Sequence, residues 1–256
     1  MAALIIDLVP VLNDNYVHLL HEPDSGETAA VDPAVAGPVL DAVEQRGWRL
    51  THVLVTHHHH DHTGGIPEVK RATGCTVIGN RNDARRIPGL DVGVVDGDSV
   101  RLGDQEARVF DTPGHTVGHI AYWFKDSKAL FCGDTLFSIG CGRLFEGSPA
   151  QMWRALSTLR DLPADTRVYC AHEYTQSNIR FALSVDPDNA ALKARAEDVE
   201  GLRATRRPSV PSVLGDEIAA NPFLRADDPA LADRLGLAGA DPVTVLADIR
   251  GRKDRF

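Results

Sequence analysis

The chain of 256 residues contains no apolar run near the roughly 20 residues that a membrane-crossing helix requires, so no membrane association is expected. No basic stretch precedes Leu4-Ile5-Ile6. A secretory leader or transit peptide is therefore not expected, and this run reads as a first strand. Cysteine is scarce. Cys75, Cys132, Cys141 and Cys170 are scattered with no C-x-x-C spacing, which fits reduced thiols in a cytoplasmic protein better than a disulfide framework. Cationic side chains are outnumbered: 27 Lys and Arg against 36 Asp and Glu give a formal net charge of −9. That balance argues against a nucleic-acid partner, because phosphate backbones call for basic surface. Internal repeats and low-complexity tracts are absent too.

What the chain does have is concentrated in Thr56-His57-His58-His59-His60-Asp61-His62. The apolar, β-branched run Val53-Leu54-Val55 leads into it and Gly64-Gly65 follows, so it stands where a buried strand ends and a new element begins. An expression tag would sit at a chain end and run unbroken, whereas this cluster is internal and interrupted by Asp61. In an extended segment His57 and His59 point one way and His58 and His60 the other. Asp61 and His62 follow the turn and can face back. Imidazole and carboxylate donors in this order suit two neighbouring metal ions, zinc or another first-row metal in preference to calcium or magnesium.

Short apolar runs predict strands over 4–9, 16–20, 28–31, 51–55, 75–78, 92–95, 99–102, 106–110, 120–124, 129–132 and 168–170. Helical spacing predicts helices over 35–47, 66–72 and from Ser148-Pro149 onward. After His172 strand signals almost vanish and helical spacing takes over, with a last helical stretch near 241–250. The expected organisation is a strand-rich α/β domain over 1–172 and a helical addition over 173–256. Three later segments end an apolar run in a small-residue turn bearing a metal-type side chain: Gly114-His115-Thr116, Gly133-Asp134-Thr135 and Ala171-His172-Glu173. Loops at strand ends converge on one rim in α/β folds, which would bring His115, Asp134 and His172 to the histidine cluster.

This order of motifs resembles the metallo-β-lactamase superfamily. The stretches Gly133-Asp134-Thr135-Leu136-Phe137-Ser138-Ile139-Gly140-Cys141-Gly142-Arg143 and Cys170-Ala171-His172-Glu173-Tyr174-Thr175 resemble the glyoxalase II, or hydroxyacylglutathione hydrolase, family. So do Asn221-Pro222-Phe223 and the ending from Asp241-Pro242 to Lys253-Asp254. The resemblance implies a metallo-β-lactamase-like αββα sandwich with a C-terminal helical domain that covers substrate. It implies two divalent metal ions, zinc first, with iron and manganese also tolerated. One ion would take His57, His59 and His115, the other Asp61, His62 and His172. Asp134 and a hydroxide would bridge them, so catalysis would rest on Asp61 and Asp134 with the metal-bound hydroxide. With neutral imidazoles the site would carry about +1, suited to an oxyanion.

The reaction so implied is hydrolysis of S-D-lactoylglutathione to glutathione and D-lactate, the second step of methylglyoxal detoxification. A thiolate leaves from a thiol of pKa about 8.5 without a strong general acid. Arg250 and Lys253 match the family's contacts to glutathione carboxylates, Arg143 a basic position of the same purpose, and Tyr174 a tyrosine bordering the substrate. By composition alone the basic ending would be an ordinary solvated tail. Phe145 departs from the family's tyrosine and removes a hydroxyl contact. Asp32 is a candidate to orient a metal-bound imidazole, or else simply an Asp-Pro turn. The competing reading is a mononuclear iron persulfide dioxygenase of the same fold, whose relatives lack this helical ending. A cytoplasmic monomer acting on a small molecule is expected.

Overall fold

The computed structural model describes residues 2–256. Packing divides them into two compact units: residues up to Asp111 with Gly118–Gly133, and Thr112–Val117 with Asp134–Phe256. This division follows packing, whereas the change of texture in the sequence falls at residue 172.

In the first unit one sheet runs in chain order through β1 (Ile5–Val11), β2 (Asn15–His21), β3 (Glu27–Val31), β4 (Arg49–Leu54), β5 (Thr76–Asn80) and β6 (Val92–Val94). The first three strands are antiparallel and the rest parallel. Parallel neighbours need a crossover. Helix α1 (Ala36–Arg46) supplies one between β3 and β4, and α2 (His60–Thr63) with α3 (Ile66–Thr73) supplies the next. Val39 and Val43 of α1 and Ile66 and Val69 of α3 recur at helical spacing. They bury against Val17, Leu19, Val53, Val55 and Val77. Gly47 stops α1 at φ 65°, its N–H taking up the carbonyl of Glu44, the left-handed position glycine adopts without strain.

The strands β7 (Ser99–Leu102), β8 (Gln105–Asp111), β9 (Ile120–Phe124) and β10 (Ala129–Gly133) form an antiparallel meander. Tyr122 of β9, fully buried, donates its hydroxyl to the carbonyl of Val55 at 3.0 Å and lies 3.3 Å from that of Ile78. The meander is thereby tied to the ends of β4 and β5, and the cluster begins two residues beyond Val55.

The second unit starts with a two-residue hairpin, β11 (Leu136–Phe137) and β12 (Gly140–Cys141). It continues with α4 (Pro149–Arg160), β13 (Arg167–Cys170), α5 (Thr175–Val185), α6 (Ala190–Ala204), β14 (Ser212–Val213), α7 (Leu214–Ala220), α8 (Pro229–Leu235) and α9 (Pro242–Asp254). Ser148 and Gln151 close a capping box on α4 with Pro149 in its first turn, the arrangement that satisfies orphan N–H groups. Ile179, Ala182, Leu192 and Val199 form a small apolar core between α5 and α6, joined by Ile139 of the hairpin. The hairpin is held by polar side chains: Asn221 donates to the carbonyls of Phe137 and Gly140, Asn178 to that of Ser138, and the buried Glu217 accepts from Ile139 N–H at 2.8 Å. None of the described helices is long and apolar enough to cross a membrane.

Candidate metal centre

In the first unit the chain leaves β4 after Leu54, bends at Thr56 and enters α2 with His59 at its N-cap. The N–H groups of His62 and Thr63 return to His59 O. This short turn brings Asp61 and His62 back toward His57. The Nε2 of His57 lies 3.1 Å from Nδ1 of His59, and His62 Nε2 lies 3.6 Å from Asp61 Oδ2. His58 points elsewhere, its ring between Asp83 and Arg86, and His60 is exposed.

Asp32 supports this loop. It follows β3 at φ 52° and is buried. Its Oδ1 accepts from Thr56 N–H at 2.8 Å; its Oδ2 accepts from Thr56 Oγ1 at 2.6 Å and from His62 Nδ1 at 3.0 Å. The last bond holds the proton of His62 on Nδ1 and places the lone pair on Nε2. His57 is set in the same way: Thr56 Oγ1 gives its proton to Asp32, so it accepts from His57 Nδ1 at 3.1 Å, and Nε2 carries the lone pair. The donor atoms of Asp32, His57 and His62 are close enough to share an ion. The Asp32 oxygens are already engaged by three donors, so its part is to orient rather than to ligate.

Two supporting residues had no role in the sequence reading. Asn15, at the start of β2, donates to the carboxylate and the carbonyl of Asp61 at 3.2 and 3.1 Å. His119 is fully buried and its ring stacks on His57, centroids 4.8 Å apart. Gly133, at φ 47°, closes the support: a Cβ there would lie 2.3 Å from Thr56 Oγ1 and 2.8 Å from His119 Nε2.

In the second unit Asp134 follows Gly133, and its two oxygens diverge. Oδ2 lies 3.4 Å from His115 Nε2 and Oδ1 3.4 Å from His172 Nε2. His115 Nδ1 donates to the carbonyl of Arg143 at 2.9 Å, which again places the lone pair on Nε2. The ring of Tyr174 stacks on His172 at 4.7 Å and Phe145 meets His115 edge-on at 5.1 Å. Gly142 allows the close approach, since a Cβ there would lie 2.0 Å from Asp134 O.

The residues fit a metal. Two imidazole nitrogens 3.1 Å apart are spaced as two ligands each about 2.1 Å from one ion. Asp134 turns one oxygen toward each of two different imidazoles. Each oriented histidine holds its proton on the far nitrogen.

Two of the C-terminal cations, Arg250 and Lys253, are held against the fold rather than solvated. Arg250 is 6% exposed, donates to Cys141 O at 2.8 Å, pairs with Asp254 and lies over the Phe223 ring. Lys253 Nζ donates to Ser177 O at 3.1 Å and lies over the rings of Phe181 and Phe256. Burial, then the charges of Arg250, Arg180 and Arg143, bring the Lys253 ammonium down to about 8. Arg143 is largely exposed, near Asp254. Cys141 and Cys170 are buried thiols, pushed up to about 11 and about 12 by burial, and so unreactive near neutral pH.

Residues 22–172 match the family model of the metallo-β-lactamase superfamily, and residues 173–256 that of the hydroxyacylglutathione hydrolase C-terminus. The hydroxyacylglutathione hydrolase of Methylococcus capsulatus is 63% identical over 97% of this chain and 97% of its own length. That of Rhodospirillum rubrum is 59% identical over 100% of both. Among solved structures, ETHE1 from Myxococcus xanthus superposes with TM-score 0.67 at 25% identity, covering 97% of this chain and 98% of its own. The BLEG-1 B3 metallo-β-lactamase gives TM-score 0.66 at 20% identity, over 86% of this chain and 99% of its own, a likeness of fold alone. On its motifs, its α/β metallo-β-lactamase fold and these full-length relatives, the chain belongs to the hydroxyacylglutathione hydrolase family.

Proposed function

We propose that this chain is a dinuclear metal thioesterase that hydrolyses S-D-lactoylglutathione to glutathione and D-lactate. His57, His59 and His115 would hold one divalent ion and Asp61, His62 and His172 the other, with Asp134 between them and zinc the first choice. The reading is supported above all by Asp134, whose two oxygens face Nε2 of two different histidines at 3.4 Å. When bound, the ions supply a water acidified to near neutral pH and positive charge for the oxyanion of the thioester. Asp32, Thr56 and the Arg143 carbonyl keep protons on the far nitrogens of His62, His57 and His115. Asn15 holds the carboxylate of Asp61 toward its task. The leaving thiolate needs no proton donor from the chain. Arg143, Arg250 and Lys253 serve the carboxylates of glutathione and Tyr174 borders it, so residues 1–172 would carry the chemistry, and 173–256, with Arg143, the recognition.

The net charge of −9 weighs against nucleic acid, and the four free, buried cysteines suit a cytoplasmic protein, which we propose is a monomer. The persulfide dioxygenase reading is not favoured, because relatives named hydroxyacylglutathione hydrolase match the whole length, helical ending included. The test is turnover of S-D-lactoylglutathione by the purified protein with metal content measured on the same sample. Hydrolysis with close to two metals per chain is expected. A metal-filled protein that leaves this thioester intact overturns the proposal.

A further inference from the structure

The cations assigned above to the substrate's carboxylates already have a carboxylate among them. Asp254 Oδ1 accepts from Arg250 Nη2 at 3.1 Å and lies 3.9 Å from Arg143 Nε. Arg250 is buried, with its other terminal nitrogen committed to Cys141 O. A buried guanidinium needs a counter-anion, because an unpaired charge out of water is strongly unfavourable. Asp254, one helical turn after Arg250, is within reach as that anion. It is also disposed to release: its side chain is 43% exposed, against 7% for Arg250. Exchanging one carboxylate for another leaves Arg250 paired throughout and returns the Asp254 carboxylate to water.

We propose that Asp254 is a specificity-determining residue, a resident carboxylate that holds the anion position between Arg250 and Arg143 and yields it to a carboxylate of the thioester substrate. The proposal rests on the thioesterase reading. It gives the free protein a cation cluster that is partly neutralised, so that a carboxylate carried by substrate gains less there than the bare cations would offer. Asp254 therefore sets the affinity for anionic thioesters without touching the reacting carbonyl.

The experiment compares wild type, Asp254→Asn and Asp254→Glu on S-D-lactoylglutathione and on its carboxyl-esterified form, at low and at high ionic strength. Removing a half-exposed competing charge is worth about 1.5- to 5-fold. Asp254→Asn is expected to lower KM for the free acid by that factor at low salt, with kcat unchanged, KM for the ester unchanged and the gain erased at high salt. Asp254→Glu keeps the charge and is expected to stay within about twofold of wild type. A rise in KM for the free acid in Asp254→Asn would make Asp254 a support for the arginines and overturn the proposal. An equal change on acid and ester, or no change on either, would also overturn it. Should wild type itself treat acid and ester alike, the assignment of these cations to substrate fails instead. Denaturation midpoints of both variants separate these outcomes from misfolding.

Discussion

Replacing Asp32 by Asn tests how far the metal loop depends on a residue that would not touch metal. The carboxylate takes three donors: Thr56 N–H at 2.8 Å, Thr56 Oγ1 at 2.6 Å and His62 Nδ1 at 3.0 Å. An amide offers one acceptor oxygen. Placed toward Thr56 Oγ1 and His62, it sets its NH2 against the Thr56 N–H. Placed the other way, it loses two bonds. The milder case removes one hydrogen bond to a charged group, about 1.5–3 kcal/mol, and leaves a buried N–H unsatisfied, about 1–3 kcal/mol more. Stability without metal should therefore fall by roughly 2.5–6 kcal/mol, read from urea unfolding in the presence of chelator. Because His62 would lose the partner that fixes its proton on Nδ1, metal affinity should fall about 10- to 100-fold, read by competition with a chromophoric chelator. An Asp32→Asn protein that unfolds within about 0.5 kcal/mol of wild type and holds metal equally well would refute this account.

Asp134→Ala should abolish turnover and lower metal content measured on the same sample; near-normal values for both would remove Asp134 from the bridging position. The KM for glutathione thioesters should rise as pH climbs through about 8, where Lys253 loses its proton, and Lys253→Arg should flatten that rise. The same group has a folded pKa of about 8 against an ordinary 10.5. The unfolded chain therefore binds more protons between these values, and this group's contribution to stability should increase with pH across that window. Gly133→Ala combines a left-handed backbone with a Cβ only 2.3 Å from Thr56 Oγ1, so a loss of about 1–3 kcal/mol in urea unfolding is expected; a neutral result would mean that the β10 end can shift freely.

Much of this was readable because the chemistry lies in runs of neighbouring residues. The histidine cluster announces itself by spacing, and each later site residue follows an apolar run. Helix α1 carries both its period and its stop at Gly47. Helix α2 carried no such signal, since four polar residues of His60–Thr63 show no apolar period and form a helix because the loop must fold back. Asn15 bonds to Asp61 across 46 positions, a pairing that periodicity cannot reveal. The ending misleads by composition: four cations among the last seven residues suggest a solvated tail. Yet α9 runs to Asp254, and its last turns pair Arg250 with Asp254 and Arg252 with Asp248. Charge counts do not distinguish a cation facing water from one whose guanidinium lies over Phe223.

Thr56 carries a wider consequence. Its N–H and hydroxyl bind Asp32 beyond β3, its hydroxyl accepts from His57, and its carbonyl accepts from Ile120 N–H at the start of β9. One residue thus fastens the cluster to both sheets of the first unit by bonds in which no ion takes part. The loop is a fixture of the sandwich frame, set when the strands assemble. Losing or exchanging an ion then need not unravel the loop, because none of these bonds depends on one.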